Sequence, residues 1–386
     1  NIFSIFFSIL LPIDFCVPHT SMENSYSPLP RRAFCTSTGA LLGSAFVTQK
    51  IWSKSRKKTS IPLGFDNFSI RALGWNAQRL LEYAGNQKVD SILFSDLDVY
   101  DSFEQNYLLD LSKEASRLGI VIQVGTGGIC PTSKSFKPKH GSAVNHLKLL
   151  IRVAKHIGSN VARCYLGSMK DRLSKGGIQQ HVNQTVQVLK KVKKDALDAG
   201  VTIAVENHAG DLHSLELIEL IERAGTEYVG ATIDSGNATW TLENPLDTLR
   251  NLAPYAVSSG IRDSMVWHSE RGVKVQWTAM GEGCTDLKTF TSEWQRLCPK
   301  LPMQLETISG FAKEFPFLDE DFWPPYSNVS ARDFSRFLLL SHKGNEIPPF
   351  SSSKILDRKK DQQQYQLSEL EKSLKYCKQV LGVGIS

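Results

Sequence analysis

From residue 61 onward, short continuous apolar runs alternate with stretches of helical spacing. The runs fall at 62–67, 91–94, 120–124, 161–166, 202–206, 230–234, 256–261 and 303–306. Continuous rather than alternating apolar runs of this length suit parallel strands covered on both faces. Helical spacing occupies 75–83, 104–118, 144–157, 182–199, 215–224 and 291–297. In the third of these, Leu147, Leu150, Ile151 and Ala154 share one face, with Lys148, Arg152 and Lys155 off it. Gly119, Gly158 and Gly200 each stand where a helix should stop before the next strand.

Eight β-then-α alternations predict a (β/α)₈ TIM barrel over residues 61–340, because right-handed crossovers close well at eight strands. A doubly wound sheet is the alternative. It would call for a glycine-rich phosphate turn after the first strand, where Asp66-Asn67-Phe68-Ser69 stands instead. Gly125-Thr126-Gly127-Gly128 follows the third run and opens no helix, so a loop-closing role is expected of it. Residues 341–386 read as a C-terminal tail whose charged stretch, 357–378, forms one exposed amphipathic helix. Leu367, Leu370, Leu374 and Tyr376 are then available to brace the barrel or meet a second copy in a homo-oligomer.

The first 60 residues read as a leader. Arg31-Arg32-Ala33-Phe34 precedes an uncharged stretch rich in small residues, resembling a twin-arginine export signal, which would place the protein in a bacterial periplasm. Without a working signal it would be cytoplasmic. The apolar residues 2–12, closed by Pro12 and Asp14, are too few to span a bilayer, and the first methionine is Met22.

Composition is that of a globular chain: 386 residues, 41% hydrophobic, 22% charged. Much of the net charge of +6 comes from Arg31, Arg32, Lys50, Lys54, Arg56, Lys57 and Lys58, so the body is nearer neutral and a nucleic-acid partner is not expected. Seven cysteines with no C-x-x-C spacing give no disulfide framework or zinc knuckle, and Cys164 reads as a buried small hydrophobe.

Residues at the C-terminal ends of barrel strands line the active site, so acids that end apolar runs carry the chemistry. Glu206, Asp234 and Glu306 end three runs, and Asp263 follows the seventh. Buried carboxylates are costly unless paired or bound to a cation, so their convergence predicts a divalent ion. Arg163 and Arg262 can grip a phosphate or carboxylate in a two-pronged contact, or pair with a neighbouring acid. Phe68, Trp75 and Trp240 are candidates to stack on a sugar ring, or simply to pack.

Three elements in order resemble the xylose-isomerase-like superfamily of sugar and sugar-phosphate isomerases and epimerases: Glu206-Asn207-His208, Asp234-Ser235-Gly236-Asn237, and Arg262-Asp263 followed by Met280-Gly281-Glu282-Gly283. The resemblance covers about 61–340. It implies a Mn, Mg, Zn or Co ion held by a Glu, an Asp, a His and a final Glu, which Glu206, Asp234 and Glu306 match in part. The histidine is expected at position 260, which is glycine here. His268 or water would then complete the set. Glu206 and Glu306 would also move the proton, and His208, Asn237, Arg163, Arg262 and Asp263 would contact a small carbohydrate.

Abstracting a proton beside a carbonyl and stabilising the resulting ene-diolate is the chemistry expected. A keto-sugar lyase or dehydratase uses the same step. A barrel-type AP endonuclease would need several strand-end histidines, and only His208 is so placed. A carbohydrate-binding barrel that lost its metal site is kept open by Gly260.

Overall fold

The structure is a computed structural model that describes residues 61–352 and 357–384. Its strands are β1 (Leu63–Asp66), β2 (Ser91–Phe94), β3 (Val121–Gly128), β4 (Val161–Tyr165), β5 (Thr202–Glu206), β6 (Val229–Asp234), β7 (Ala256–Gly260), β8 (Asp263–Ser269), β9 (Gly272–Thr278), β10 (Met303–Leu305) and β11 (Ala312–Phe315). The helices are α1 (Ala77–Asn86), α2 (Gln105–Leu118), α3 (Ala143–Ile157), α4 (Met169–Arg172), α5 (Gly177–Lys191), α6 (Lys193–Ala199), α7 (Ser214–Ala224), α8 (Ser235–Ala238), α9 (Pro245–Leu252), α10 (Leu287–Leu297), α11 (Ala331–Ser341) and α12 (Arg358–Tyr376).

Eight parallel strands run in the order β10-β1-β2-β3-β4-β5-β6-β7. Between the two ends, Ile261 bridges Leu305 in parallel, Ile261 N donates to the Gln304 carbonyl at 2.6 Å, and Glu306 N donates to the Ile261 carbonyl at 3.0 Å. The result is a nearly closed (β/α)₈ barrel. Each expected run overlaps one barrel strand, because strands buried on both faces read as uninterrupted apolar sequence. Three helices end as expected at left-handed glycines, Gly119 (φ 70°), Gly158 (φ 83°) and Gly200 (φ 65°), a conformation in which any other residue is strained.

The structure departs from the sequence reading in three places. The helix expected over 182–199 is two, α5 and α6, broken where Val192 leaves helical geometry (φ −111°, ψ 7°) to bury its side chain in the core. Between the seventh and eighth barrel strands lies an antiparallel hairpin, β8 and β9, which β11 extends to a three-stranded sheet with its own small core of Val266, Val273, Val275 and Phe315. The third is the C-terminal helix.

Helix α12 is no exposed appendage. Leu370 and Leu374 are buried in the main core, Tyr83 of α1 donates to Glu371 at 3.2 Å, Gln366 accepts from Ala72 N at 2.8 Å, and Gly384 N donates to the Ile61 carbonyl at 2.8 Å. It fills the place of the eighth barrel helix, beside α1 and behind β1 and β10. The expected export signal, the apolar residues 2–12 and Met22 lie outside the described residues. Among the described residues no helix is long and apolar enough to cross a membrane.

Candidate active site

Glu206 and Asp234 are the last residues of β5 and β6, Glu306 directly follows β10, and Gly260 ends β7 opposite Asp234. The barrel therefore delivers all three acids to one end of its interior, where each is at most 4% exposed. One oxygen from each lies within 4.8 Å of the others, a spacing at which three carboxylates can hold a metal ion.

Two guanidiniums meet this triad. Arg163, in the middle of β4, pairs with Glu206 Oε2 and donates from Nη1 to the Thr126 carbonyl at 3.1 Å. Arg262 reaches Asp234 Oδ2 and Glu306 Oε2 with a single nitrogen, Nη2. Asn237 adds two donors: its side-chain amide to Glu206 Oε1 at 3.1 Å and its backbone N–H to Asp234 Oδ1 at 2.7 Å.

A fourth strand-end acid, Asp66 of β1, is 1% exposed and lies in the same electrostatic neighbourhood. The rule that selected the other three applies to it as well, since it ends β1, one residue before the close of the first apolar run. Four carboxylates facing two guanidiniums cannot all stay ionised in a buried site. Burial and the neighbouring Glu306 push Asp66 up to about 7, and burial with the same neighbour does so for Asp234, against the pull of Arg262. Burial also holds Glu206 well above the usual range, with Arg163 opposing and Glu306 and Asp234 adding. For Glu306, burial is outweighed by Arg262 and Arg163, which hold it below the ordinary value. Glu306 is thus pushed down by its cationic neighbours while burial pushes Glu206 up.

His208 stacks on Tyr165 with ring centroids 3.6 Å apart, and its Nδ1 lies 2.8 Å from the Gly167 carbonyl. That contact assigns the proton to Nδ1 and leaves Nε2 as an acceptor. Burial, then Arg163, lowers its pKa to about 3, so the ring is neutral. Above these groups opens a cleft of about 260 Å³, sized for a small molecule, with Phe68, Tyr165, Trp240 and Trp277 among its walls. Trp240 and Trp277 stack 4.3 Å apart. Trp277 comes from the hairpin, which the search for continuous apolar runs passed over. Trp75 packs instead against Tyr83 in the barrel exterior.

Two expected site residues are placed elsewhere. Asp263 is 1% exposed and accepts backbone N–H groups from Ser264 (2.8 Å), Thr285 (3.3 Å), Gly281 (3.2 Å) and Gly283 (2.9 Å). It organises the Met280–Thr285 loop rather than contacting a substrate, and this accounts for the Met280-Gly281-Glu282-Gly283 element. His268 lies near the tip of the hairpin, about 16 Å along the strand from Asp263 at ~3.3 Å per residue. It is exposed, with Nε2 3.1 Å from Ser341 Oγ, so it is not brought to the triad.

A metal would need open oxygens and a fourth ligand. Glycine at 260 supplies no ligand, and Arg262 already sits on the two oxygens that an ion between Asp234 and Glu306 would use. With Arg262 in this position the residues present do not fit a divalent ion.

Residues 80–307 match the family model described as xylose isomerase-like TIM barrel, and the chain belongs to that family. It is 27% identical over 146 residues to YihM of Escherichia coli K12, itself uncharacterized; the match spans 36% of this chain and 44% of that relative's length. A D-psicose 3-epimerase structure determined with D-fructose shares the fold at TM-score 0.53 and 13% identity, covering 83% of this chain and all of that one. So does a structure of IOLI protein with a bound zinc atom, at TM-score 0.50 and 13% identity, covering 74% of this chain and all of that one. The fold is thus one that a sugar epimerase and a zinc-binding protein also use.

Proposed function

We propose that the protein is an isomerase or epimerase acting on a small keto-sugar or sugar derivative at the Glu206–Asp234–Glu306 cluster. The observation that carries the reading is the convergence of Glu206, Asp234 and Glu306 with two guanidiniums at the floor of an aromatic-walled cleft, where the surroundings push the two glutamates' pKa values in opposite directions. Paired titratable groups whose surroundings push them apart are the arrangement that moves a proton from one to the other by way of a substrate. The substrate lies with its carbon chain against Trp277 and Tyr165. Glu306 takes the proton from the carbon next to the carbonyl, and the negative charge that develops on oxygen is met by guanidinium N–H groups of Arg262 and Arg163. Glu206 returns its own proton to the same carbon, giving the epimer, or to the neighbouring one, giving the isomer. Exchange with water then resets both acids. His208 Nε2 and Asn237 orient substrate hydroxyls.

Loss of a hydroxyl from the same ene-diolate would make the protein a keto-sugar lyase, so both products are sought in one assay. The wild type and Glu306→Gln are incubated with a panel of ketohexoses, ketopentoses and keto-sugar acids, and products are identified by NMR. Turnover by the wild type that falls at least about 100-fold in the variant, with an unchanged circular dichroism spectrum, is the expected result. Equal activity in both removes Glu306 from the mechanism. No product from any compound favours a carbohydrate-binding barrel.

A further inference from the structure

The oxygens of the triad are nearly all spoken for by groups of the chain itself. Arg262 Nη2 bridges Asp234 Oδ2 and Glu306 Oε2, Arg163 holds Glu206 Oε2, and Asn237 serves Glu206 Oε1 and Asp234 Oδ1. We propose that the guanidinium of Arg262 is the permanent cation of this site, standing where a divalent ion would have to bind, and that the protein works without a metal. The proposal rests on reading the triad as the reaction site, but its test does not depend on turnover.

Arg262 is built into its position from three directions. Its backbone N–H donates to Ser235 Oγ at 2.9 Å, and that hydroxyl donates back to the Arg262 carbonyl at 2.6 Å, which pins β7's exit to the turn after Asp234. Its aliphatic stem crosses Gly236 so closely that a Cβ there would stand 2.1 Å from Cγ and 2.2 Å from Cδ. Only glycine leaves that path open. Its guanidinium carbon lies 4.3 Å from the Trp277 ring centre, and the Trp277 indole N–H is itself fixed to the Gly236 carbonyl at 2.9 Å. The side chain is 1% exposed.

Gly260 completes the arrangement. A Cβ at that position would come 3.1 Å from Asp234 Oδ2 and 3.4 Å from Glu306 Oε2, the two oxygens that Arg262 bridges. A side chain there would compete for them, whereas glycine leaves them to the guanidinium. An ion placed on the same oxygens would set like charges in contact, with nothing between to screen them. A fixed guanidinium still supplies positive charge beside a developing oxyanion, and its N–H groups outside the carboxylate contacts remain for a substrate oxygen. Among the described residues, the buried Arg262 Nε has no hydrogen-bond partner.

The test measures metal, not activity. The full-length chain is purified without chelator, its Mn, Zn, Co and Fe content is read by elemental analysis, and MnCl₂ and ZnSO₄ are titrated in calorimetrically. The same is done for Arg262→Gln and for the pair Gly260→His with Arg262→Gln. The expected result is a wild type with no stoichiometric metal and a double variant that binds Zn²⁺ about 100-fold or more tightly than the wild type. A wild type that carries or takes up about one equivalent of metal per chain overturns the proposal. So does a folded double variant that binds no better than the wild type, because Arg262 is then not what keeps metal out. Should the variants fail to fold, the wild type's melting temperature decides: a rise with millimolar Mn²⁺ or Zn²⁺ that EDTA reverses contradicts the proposal, and indifference to both supports it. If the wild type proves metal-free yet turns over no keto-sugar, the functional reading fails while this one stands.

Discussion

Removing Arg163 should destabilise the protein chiefly through what it does to Glu206. The two side chains are 4% and 1% exposed and form a pair within the barrel. Breaking a buried pair by deleting one partner typically costs about 3–5 kcal/mol, because the survivor's charge is left uncompensated. Arg163→Met also orphans the Thr126 carbonyl, a loss of about 1 kcal/mol. Against this, burial already pushes the Glu206 pKa up, and without the opposing Arg163 it climbs further, so the variant can take up a proton instead of burying a bare carboxylate. The net expectation is near the lower end, about 3 kcal/mol, or a fall in Tm of roughly 6 °C. Glu206→Gln keeps an acceptor for Asn237 and removes the charge. Adding it to Arg163→Met should recover part of the loss, with a coupling energy of about 2 kcal/mol. Thermal melts of the four proteins of this cycle at neutral pH, followed by circular dichroism, provide the measurement. Strictly additive effects, or a single variant as stable as the wild type, would refute the view that the pair is energetically linked.

Two further outcomes are expected. Asp66 is raised to about 7 in the folded state against 3.8 unfolded, so its contribution to stability is fully present below pH ~4 and is lost as pH rises toward ~7. Asp66→Asn should flatten the decline in Tm over that interval, and an unchanged pH profile would mean that Asp66 is not protonated in the fold. Leu370→Ala should cost about 2–4 kcal/mol in urea or thermal unfolding if α12 serves as the eighth barrel helix, whereas a change under about 0.5 kcal/mol would make it a dispensable tail.

The barrel was legible because its strands are buried on both faces: 91–94 and 202–206 were read to the residue, and only edges shifted elsewhere. The hairpin was not. The seventh run closes at Ile261, and β9 beyond it alternates Val273, Val275 and Trp277 with polar residues, so a search for continuous apolar runs passed over the hairpin and with it Trp277 as a wall of the cleft. Helix α9 was passed over although Asn244 caps it and Pro245 opens it, a signature visible in the sequence. For helix α12 the sequence offered Leu370 and Leu374 for packing but left open whether they brace the barrel or meet a second copy; both are buried in the main core of this chain. At the site, the rule that acids end strands found Glu206, Asp234 and Glu306 and would have found Asp66. It also drew in Asp263, whose carboxylate turns to four backbone N–H groups instead. That Arg262 lies between two of the acids depends on Gly236 and Trp277 clearing and holding its path, a three-body arrangement that spacing along the chain does not encode.

In the proposed reaction Glu306 takes a proton from the carbon beside a substrate carbonyl. Incubating the wild type and Glu306→Gln in D₂O with candidate keto-sugars, and following the loss of the adjacent C–H signal by proton NMR, tests that step even where no net product accumulates. With the wild type, solvent deuterium is expected at that carbon for epimerisation or at its neighbour for isomerisation, and none above background is expected with Glu306→Gln. Equal exchange in both proteins, or a wild type that converts substrate without taking up solvent deuterium, would contradict it.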